Sequence, residues 1–244
     1  MTINIHYVRN DISVILSDRR FTYGLEGEGG HSDDNIKLSN LKTMGWGWTT
    51  GAGLYNFIIP FQQKFSKANI TKQSELIDLF NDVMNQTMIE YPQYKERMMT
   101  SSVSFSFLGL NSEGTAHQCQ IGLLDKTTAD KGSINLLPPG CLHPIPPSDF
   151  TGDLSDLDTF NQQRVKKLEQ ENLHAVIIHC LEAFEELSRD SMKASEECDI
   201  GICKLSDKEM VKLKLSGNVY DLLNKLNEGT VEDYMEEIEK LVFP

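Results

Sequence analysis

The sequence predicts an α+β fold in which two antiparallel sheets are covered by helices, a four-layer αββα sandwich. Three observations carry this. Apolar residues alternate with period two over 3–17 and again over 102–124, the mark of β-hairpins. Elsewhere the apolar period is that of helices, over 54–65, 71–84 and 157–193. Strands are grouped away from helices instead of alternating with them, which argues against parallel α/β units and for antiparallel sheets with helix layers.

The elements follow in order. Ile3, Ile5 and Tyr7 share one side of a first strand, and Ile12, Val14 and Leu16 follow the polar Arg9-Asn10-Asp11 turn. SDRR then leads into GLEGEGGHSD, a glycine-rich loop, and DNIKLSNLKTMGWGWTT returns to strand-like residues, with Trp46 and Trp48 read as packing residues on one strand face. Leu54, Phe57, Ile58, Phe61 and Phe65 line a helix that Pro60 should kink or break. A second helix begins after Thr71, a candidate cap, and carries Leu76, Leu79, Phe80, Val83 and Met84. The hairpin over 102–124 turns at Asn111-Ser112-Glu113-Gly114. Prolines make LLPPGCLHPIPPSDF a surface loop at about 138–149, with His143 solvent-exposed within it. Val165, Leu168, Val176, Ile177, Cys180, Leu181, Phe184 and Leu187 mark a long helix, CDIGICKL one more strand, and the tail two short amphipathic helices around Asn227-Glu228-Gly229.

With 244 residues and 39% hydrophobic content the chain can bury a substantial core. Its five cysteines, odd in number and scattered, and the lack of a leader pattern predict a reducing, cytoplasmic compartment, with Cys198 and Cys203 as buried thiols. A net charge of -13 argues against nucleic acid as a partner, and no apolar run reaches membrane-spanning length. The six histidines form no metal-ligand motif, and GEGG over 27–30 lacks the context and lysine of a phosphate loop.

The chemistry lies near the start. Removal of Met1 would expose the α-amine of Thr2 beside its own hydroxyl, a weak nucleophile paired with a base whose unperturbed pKa is about 7.7–8.0. A nearby lysine would lower that pKa further and an aspartate would orient the lysine, roles that suit Lys37 and Asp18. In these residues the chain resembles the proteasome β-subunit-like N-terminal nucleophile hydrolases, which include bacterial proteasome homologues. The likeness lies in Thr2 heading the first strand, in SDRR, in NIKL and in GWTTGAG before a helix. Thr2 and Asp18 are 16 residues apart and Lys37 and Gly51 14 apart, as in the family, with three extra residues between Asp18 and Lys37 falling in the glycine-rich loop.

The resemblance implies Thr2 as nucleophile, Asp18 as the carboxylate orienting Lys37, and Gly51 as an oxyanion donor. It places Ser195 at the family's serine before the late strand, although no aspartate or glycine pair aligns beside it. It divides the chain into a proteasome-like domain over 1–216, with the proline-rich loop, and a C-terminal helical extension over 217–244. The implied activity is a threonine-type endopeptidase or amidohydrolase, with a peptide or protein substrate and no metal or organic cofactor. Self-association into a ring or helical array would accompany it, with room for an ATPase partner. Two other readings stand beside it: a catalytically silent assembly subunit of the same fold, and an amidohydrolase for a small molecule.

Overall fold

The opening alternation folds into β1 (Asn4–Arg9) and β2 (Ile12–Asp18), paired antiparallel with Asn4 opposite Ser17 and Arg9 opposite Ile12. The computed structural model describes residues 2–22, 30–43, 45–151, 172–189, 191, 194–206 and 209–242, and in it this hairpin lies within a six-stranded antiparallel sheet. The strand order is β10 (Cys141–Ile145), β1, β2, β11 (Glu197–Ser206), β12 (Glu209–Asn218), β13 (Glu236–Val242). A second antiparallel sheet runs β5 (Ser39–Asn40), β6 (Trp46–Ala52), β7 (Ser102–Leu110), β8 (His117–Asp125), β9 (Asn135–Leu136). A two-stranded ribbon joins β3 (Phe21–Thr22) to β4 (His31–Ser32). The class is α+β with two antiparallel sheets, as the hairpin patterns predict.

Both faces of the first hairpin are buried. Ile3, Ile5, Tyr7, Ile12, Val14 and Leu16 pack with Val176, Ile177 and Phe184 of α5 (Leu173–Arg189) and Leu222 of α6 (Val219–Glu228). On the other face Val8 and Ile15 join Trp48, Ile121 and Met210 in a cluster drawn from both sheets. A third cluster sets Val103 and Phe105 against α1 (Tyr55–Phe65) and α2 (Gln73–Glu90). Two short helices, α3 (Lys95–Met99) and α4 (Lys126–Asp130), adjoin the second sheet's strands in sequence.

Polar groups thread the cluster between the sheets. The Trp48 indole N–H donates to the Ile202 carbonyl at 3.0 Å, and its ring lies so close over Gly201 that a Cβ there would sit 2.4 Å from the indole Cγ. His6 Nε2 lies 2.8 Å from the Ser104 hydroxyl across the sheets. Burial, with His143 nearby, pushes the His6 imidazole down to about 3, so it stays neutral at physiological pH.

Several sequence expectations are corrected. The middle of the proline-rich stretch is an edge strand and not a loop: β10 pairs with β1, Pro144 opposite Ile5 and His143 opposite His6. Edge position is what makes a proline tolerable in a sheet. Trp46 and Trp48 do not share a surrounding, because a register shift between Trp46 and Thr49 divides them between the α1-facing and inter-sheet clusters. Asn35–Leu38 pairs with no strand, Pro60 sits inside an unbroken α1, and Glu75 reaches back to the amides of Thr71 and Lys72 to cap α2. The period-two pattern of EMVKLKLS, not recognised in the sequence, is β12, and the second terminal helix is instead β13, paired with β12. Of the long helix, 157–171 lies outside the described residues, as do 23–29 of the glycine-rich loop.

One buried ion pair fixes the central strands. Asp199 of β11, 1% exposed, accepts the Arg19 guanidinium at 3.0 and 2.7 Å and the Ser216 hydroxyl at 2.6 Å. Burial alone would push this carboxyl up, but Arg19, Ser216 and Lys214 hold it below the usual carboxylate range. A carboxyl depressed in the folded state contributes stability above its unfolded value, near 3.9, and loses it as pH falls through the folded value. Asp199→Asn is expected to lower the unfolding free energy by about 3 kcal/mol at pH 7. Urea midpoints at pH 7 and pH 3 check this, the deficit narrowing at the lower pH.

Candidate active site

Strand pairing brings the first two site residues together. The hairpin register sets the chain just before β1 against the end of β2, so Ile3 and Asp18 exchange bonds: Asp18 N–H donates to the Ile3 carbonyl at 3.2 Å, and Ile3 N–H to Asp18 Oδ1 at 3.0 Å. Thr2 therefore stands beside Asp18. Lys37 comes from the segment ahead of β5, and its Nζ donates to Asp18 Oδ1 at 2.7 Å and to Thr2 Oγ1 at 3.0 Å. All three are buried, at 7%, 0% and 1% exposure for Thr2, Asp18 and Lys37.

The second oxygen of Asp18 is held by main-chain donors. Arg20 N–H donates to Oδ2 at 3.1 Å and Ser195 N–H at 3.4 Å. Burial pushes the Asp18 carboxyl up and the Lys37 ammonium down, each opposed by its attraction to the other. The face of the Phe21 ring, its centroid 5.1 Å from Nζ, adds a favourable surrounding for the ammonium.

This arrangement has a chemical consequence. Because the Thr2 hydroxyl oxygen accepts from the ammonium, its own proton is left for transfer elsewhere, and the cation faces the oxygen on which negative charge would grow. Lys37 is thus placed to ease ionisation of Thr2, with Asp18 fixing the lysine's position.

Of the predicted residues, Thr2, Asp18 and Lys37 meet directly, and Ser195 joins them through its amide. Gly51 stands at one remove: on β6 its neighbour Thr50 donates to the Ser17 hydroxyl at 3.1 Å, beside Asp18. A Cβ on Gly51 would lie 2.6 Å from Ile58 Cδ1, so packing against α1 also demands glycine there. Sequence reasoning missed Arg20, Asp33, Phe21 and Gln62. Arg20 and Asp33 form a two-pronged ion pair, and the Gln62 amide, reaching from α1, donates to the carbonyls of Lys37 at 2.7 Å and Thr49 at 3.2 Å. A polar residue on the otherwise apolar face of α1 was the one available signal for Gln62. Among the described residues no group of three His, Cys, Asp or Glu side chains is placed to hold a metal ion, and no helix is long and apolar enough to cross a membrane.

No family model matches the chain, and no curated protein matches it. Solved structures do. The chain is similar to the Anbu (Gly-1) mutant from Hyphomicrobium sp. strain MC1, with a TM-score of 0.59 at 10% identity over 93% of this chain and 95% of that one. It is also similar to Anbu from the same strain, with a TM-score of 0.55 at 10% identity over 93% and 94%. The likeness is one of fold. It shows a fold shared with Anbu, and the expectation that the chain is a member of the proteasome β-subunit-like family is corrected: at 10% identity, with no family model matching, membership is not carried. Apolar pattern and core volume can keep a fold while nearly every residue changes.

Gln62 supplies a direct test of how the site is held. Replacing it with Met keeps much of its volume but strips two buried carbonyls of their donor. Gln62→Met should lower the unfolding free energy by about 2 kcal/mol, measured by chemical denaturation.

Proposed function

We propose that the chain hydrolyses amide bonds with Thr2 as nucleophile once Met1 is removed. The observation that carries this reading is the buried bridge of Lys37 Nζ between Thr2 Oγ1 at 3.0 Å and Asp18 Oδ1 at 2.7 Å. The proteasome-like fold supports it in general terms, and the reading takes the three apolar clusters as αββα layering.

In this mechanism the Thr2 hydroxyl attacks the substrate carbonyl and passes its proton to the Thr2 α-amine. The tetrahedral oxyanion is held by the Gly51 N–H. Collapse breaks the C–N bond, the amine returns its proton to the leaving nitrogen, and an ester of Thr2 remains. Water, deprotonated by the same amine, attacks the ester carbonyl, and the Thr2 hydroxyl is regained with release of the acid. Lys37 must stay an ammonium throughout, fixed by Asp18. The catalytically silent alternative drew on an incomplete shell around Ser195, and the bond from the Ser195 amide to Asp18 weighs against that ground.

The pH dependence has a definite sign. Activity rises as the α-amine loses its proton and falls as Lys37 loses its own. Since burial pushes Lys37 down, the falling limb lies below the ordinary lysine range near 10.4. Intact mass first establishes that Met1 is absent; a threonine-directed electrophile should then modify Thr2. Modification should vanish in Thr2→Ala and slow by roughly 100-fold or more in Lys37→Ala. An unmodified Thr2 in folded, Met1-free protein would refute the mechanism.

A further inference from the structure

The ribbon of β3 and β4 places an ion pair behind the site. Its register, Phe21 opposite Ser32 and Thr22 opposite His31, sets Arg20 against Asp33 at the next position along. The two meet fork to fork, Nε to Oδ1 at 2.8 Å and Nη2 to Oδ2 at 2.7 Å. The Ser195 hydroxyl oxygen accepts the Glu197 N–H at 3.0 Å. Arg20 and Ser195 are remote in sequence, yet their main-chain N–H groups converge on the same oxygen of Asp18. A polar cleft of about 350 Å³, lined in part by Arg20, Asp33, Ser195 and Glu197, opens beside them.

We propose that Asp33 is a positioning residue: by holding the Arg20 side chain it fixes the Arg20 amide, which with the Ser195 amide grips one oxygen of Asp18, so that the other oxygen meets Lys37. Its catalytic meaning rests on the threonine mechanism above. The Asp33 carboxylate that lines the cleft with Arg20 and Ser195 lies between the glycine-rich segment and Lys37 in sequence.

Geometry separates this role from that of an ordinary surface ion pair. Partly exposed pairs contribute little by themselves. Here the bidentate fork holds a residue whose own amide ends on Asp18, and a carboxylate gripped on both oxygens has no freedom to rotate away from its lysine. Charge points the same way. The charged groups facing Lys37 are Asp18, Asp33 and Arg20; the two carboxylates support its ammonium and Arg20 opposes it. From α1 the contact is the neutral Gln62 amide on the Lys37 carbonyl, and from β3 the uncharged Phe21 ring. Asp33→Asn leaves the Arg20 charge uncompensated beside Lys37, which then gives up its proton at lower pH.

The test uses the full, Met1-free chain, with Asp33→Asn and Asp33→Glu as variants. Two readouts are taken: the pH profile of Thr2 modification by the threonine-directed electrophile, and hydrogen exchange at the Arg20 amide. Asp33→Asn should slow modification by roughly 10- to 100-fold, move the falling limb to lower pH, and speed exchange at the Arg20 amide, while Asp33→Glu restores part of each. A profile and exchange rate unchanged in Asp33→Asn, with Thr2 still modified, would overturn the role of Asp33 and leave the threonine mechanism standing. A wild-type chain whose Thr2 is never modified would overturn the mechanism and the role together.

Discussion

The Asp18 carboxylate is the constraint around which the rest of the site is arranged. It is fully buried at the end of β2, and a lone charge in that position would be strongly unfavourable. Four donors answer it: the Ile3 amide and the Lys37 ammonium on Oδ1, and the Arg20 and Ser195 amides on Oδ2. Each donor comes from a different stretch of chain, so satisfying this one carboxylate draws the N-terminal segment, the β2–β3 turn, the segment before β5 and the loop before β11 to a single point. The nucleophile candidate is then placed as a by-product, since Thr2 precedes Ile3 and shares the same lysine.

Because Thr2 and Asp18 belong to one sheet while Lys37 leads into the other, the geometry of the site is the geometry between the sheets. Apolar packing of Val8, Ile15, Trp48, Ile121 and Met210 is non-directional and would tolerate sliding. Directional bonds remove that freedom. Trp48 reaches the Ile202 carbonyl, His6 meets Ser104, and Thr50 meets Ser17. At the far side the fully buried Lys212 donates to Asn40 Oδ1, to the Leu41 carbonyl at 2.5 Å and to Glu239, tying β12 and β13 to the segment that follows Lys37. A half-satisfied network of this kind costs more than an apolar one, which is why such residues fix a single arrangement.

Much of the fold was legible in residue pattern. The alternation of Ile3, Ile5 and Tyr7 correctly grouped the side chains that pack against α5, and Phe57, Phe61 and Phe65 marked the buried face of α1. Failures fell where a local rule was overruled by position in the sheet. Pro144 argues against a strand only if the strand is interior, and an edge was available beside β1. The amphipathic tail over 236–242 satisfies either period, and the open edge of β12 decided for a strand.

The site divides in the same way. Thr2, Asp18 and Lys37 were singled out in the sequence by residue type together with the spacings of the family resemblance, and the structure brings the three side chains into contact. Nothing local distinguishes Asp33 from Asp34, or Gln62 from Gln63. What selects them is the ribbon register that sets Asp33 against Arg20 and the helix face that aims Gln62 at two carbonyls. The sequence by itself determined which polar groups stand near the start of the chain and which faces were apolar, since both depend on side-chain chemistry and short-range period. Only the tertiary structure decided which polar groups support them, because hydrogen-bond partners remote in the chain are set by how the sheets and the ribbon pack.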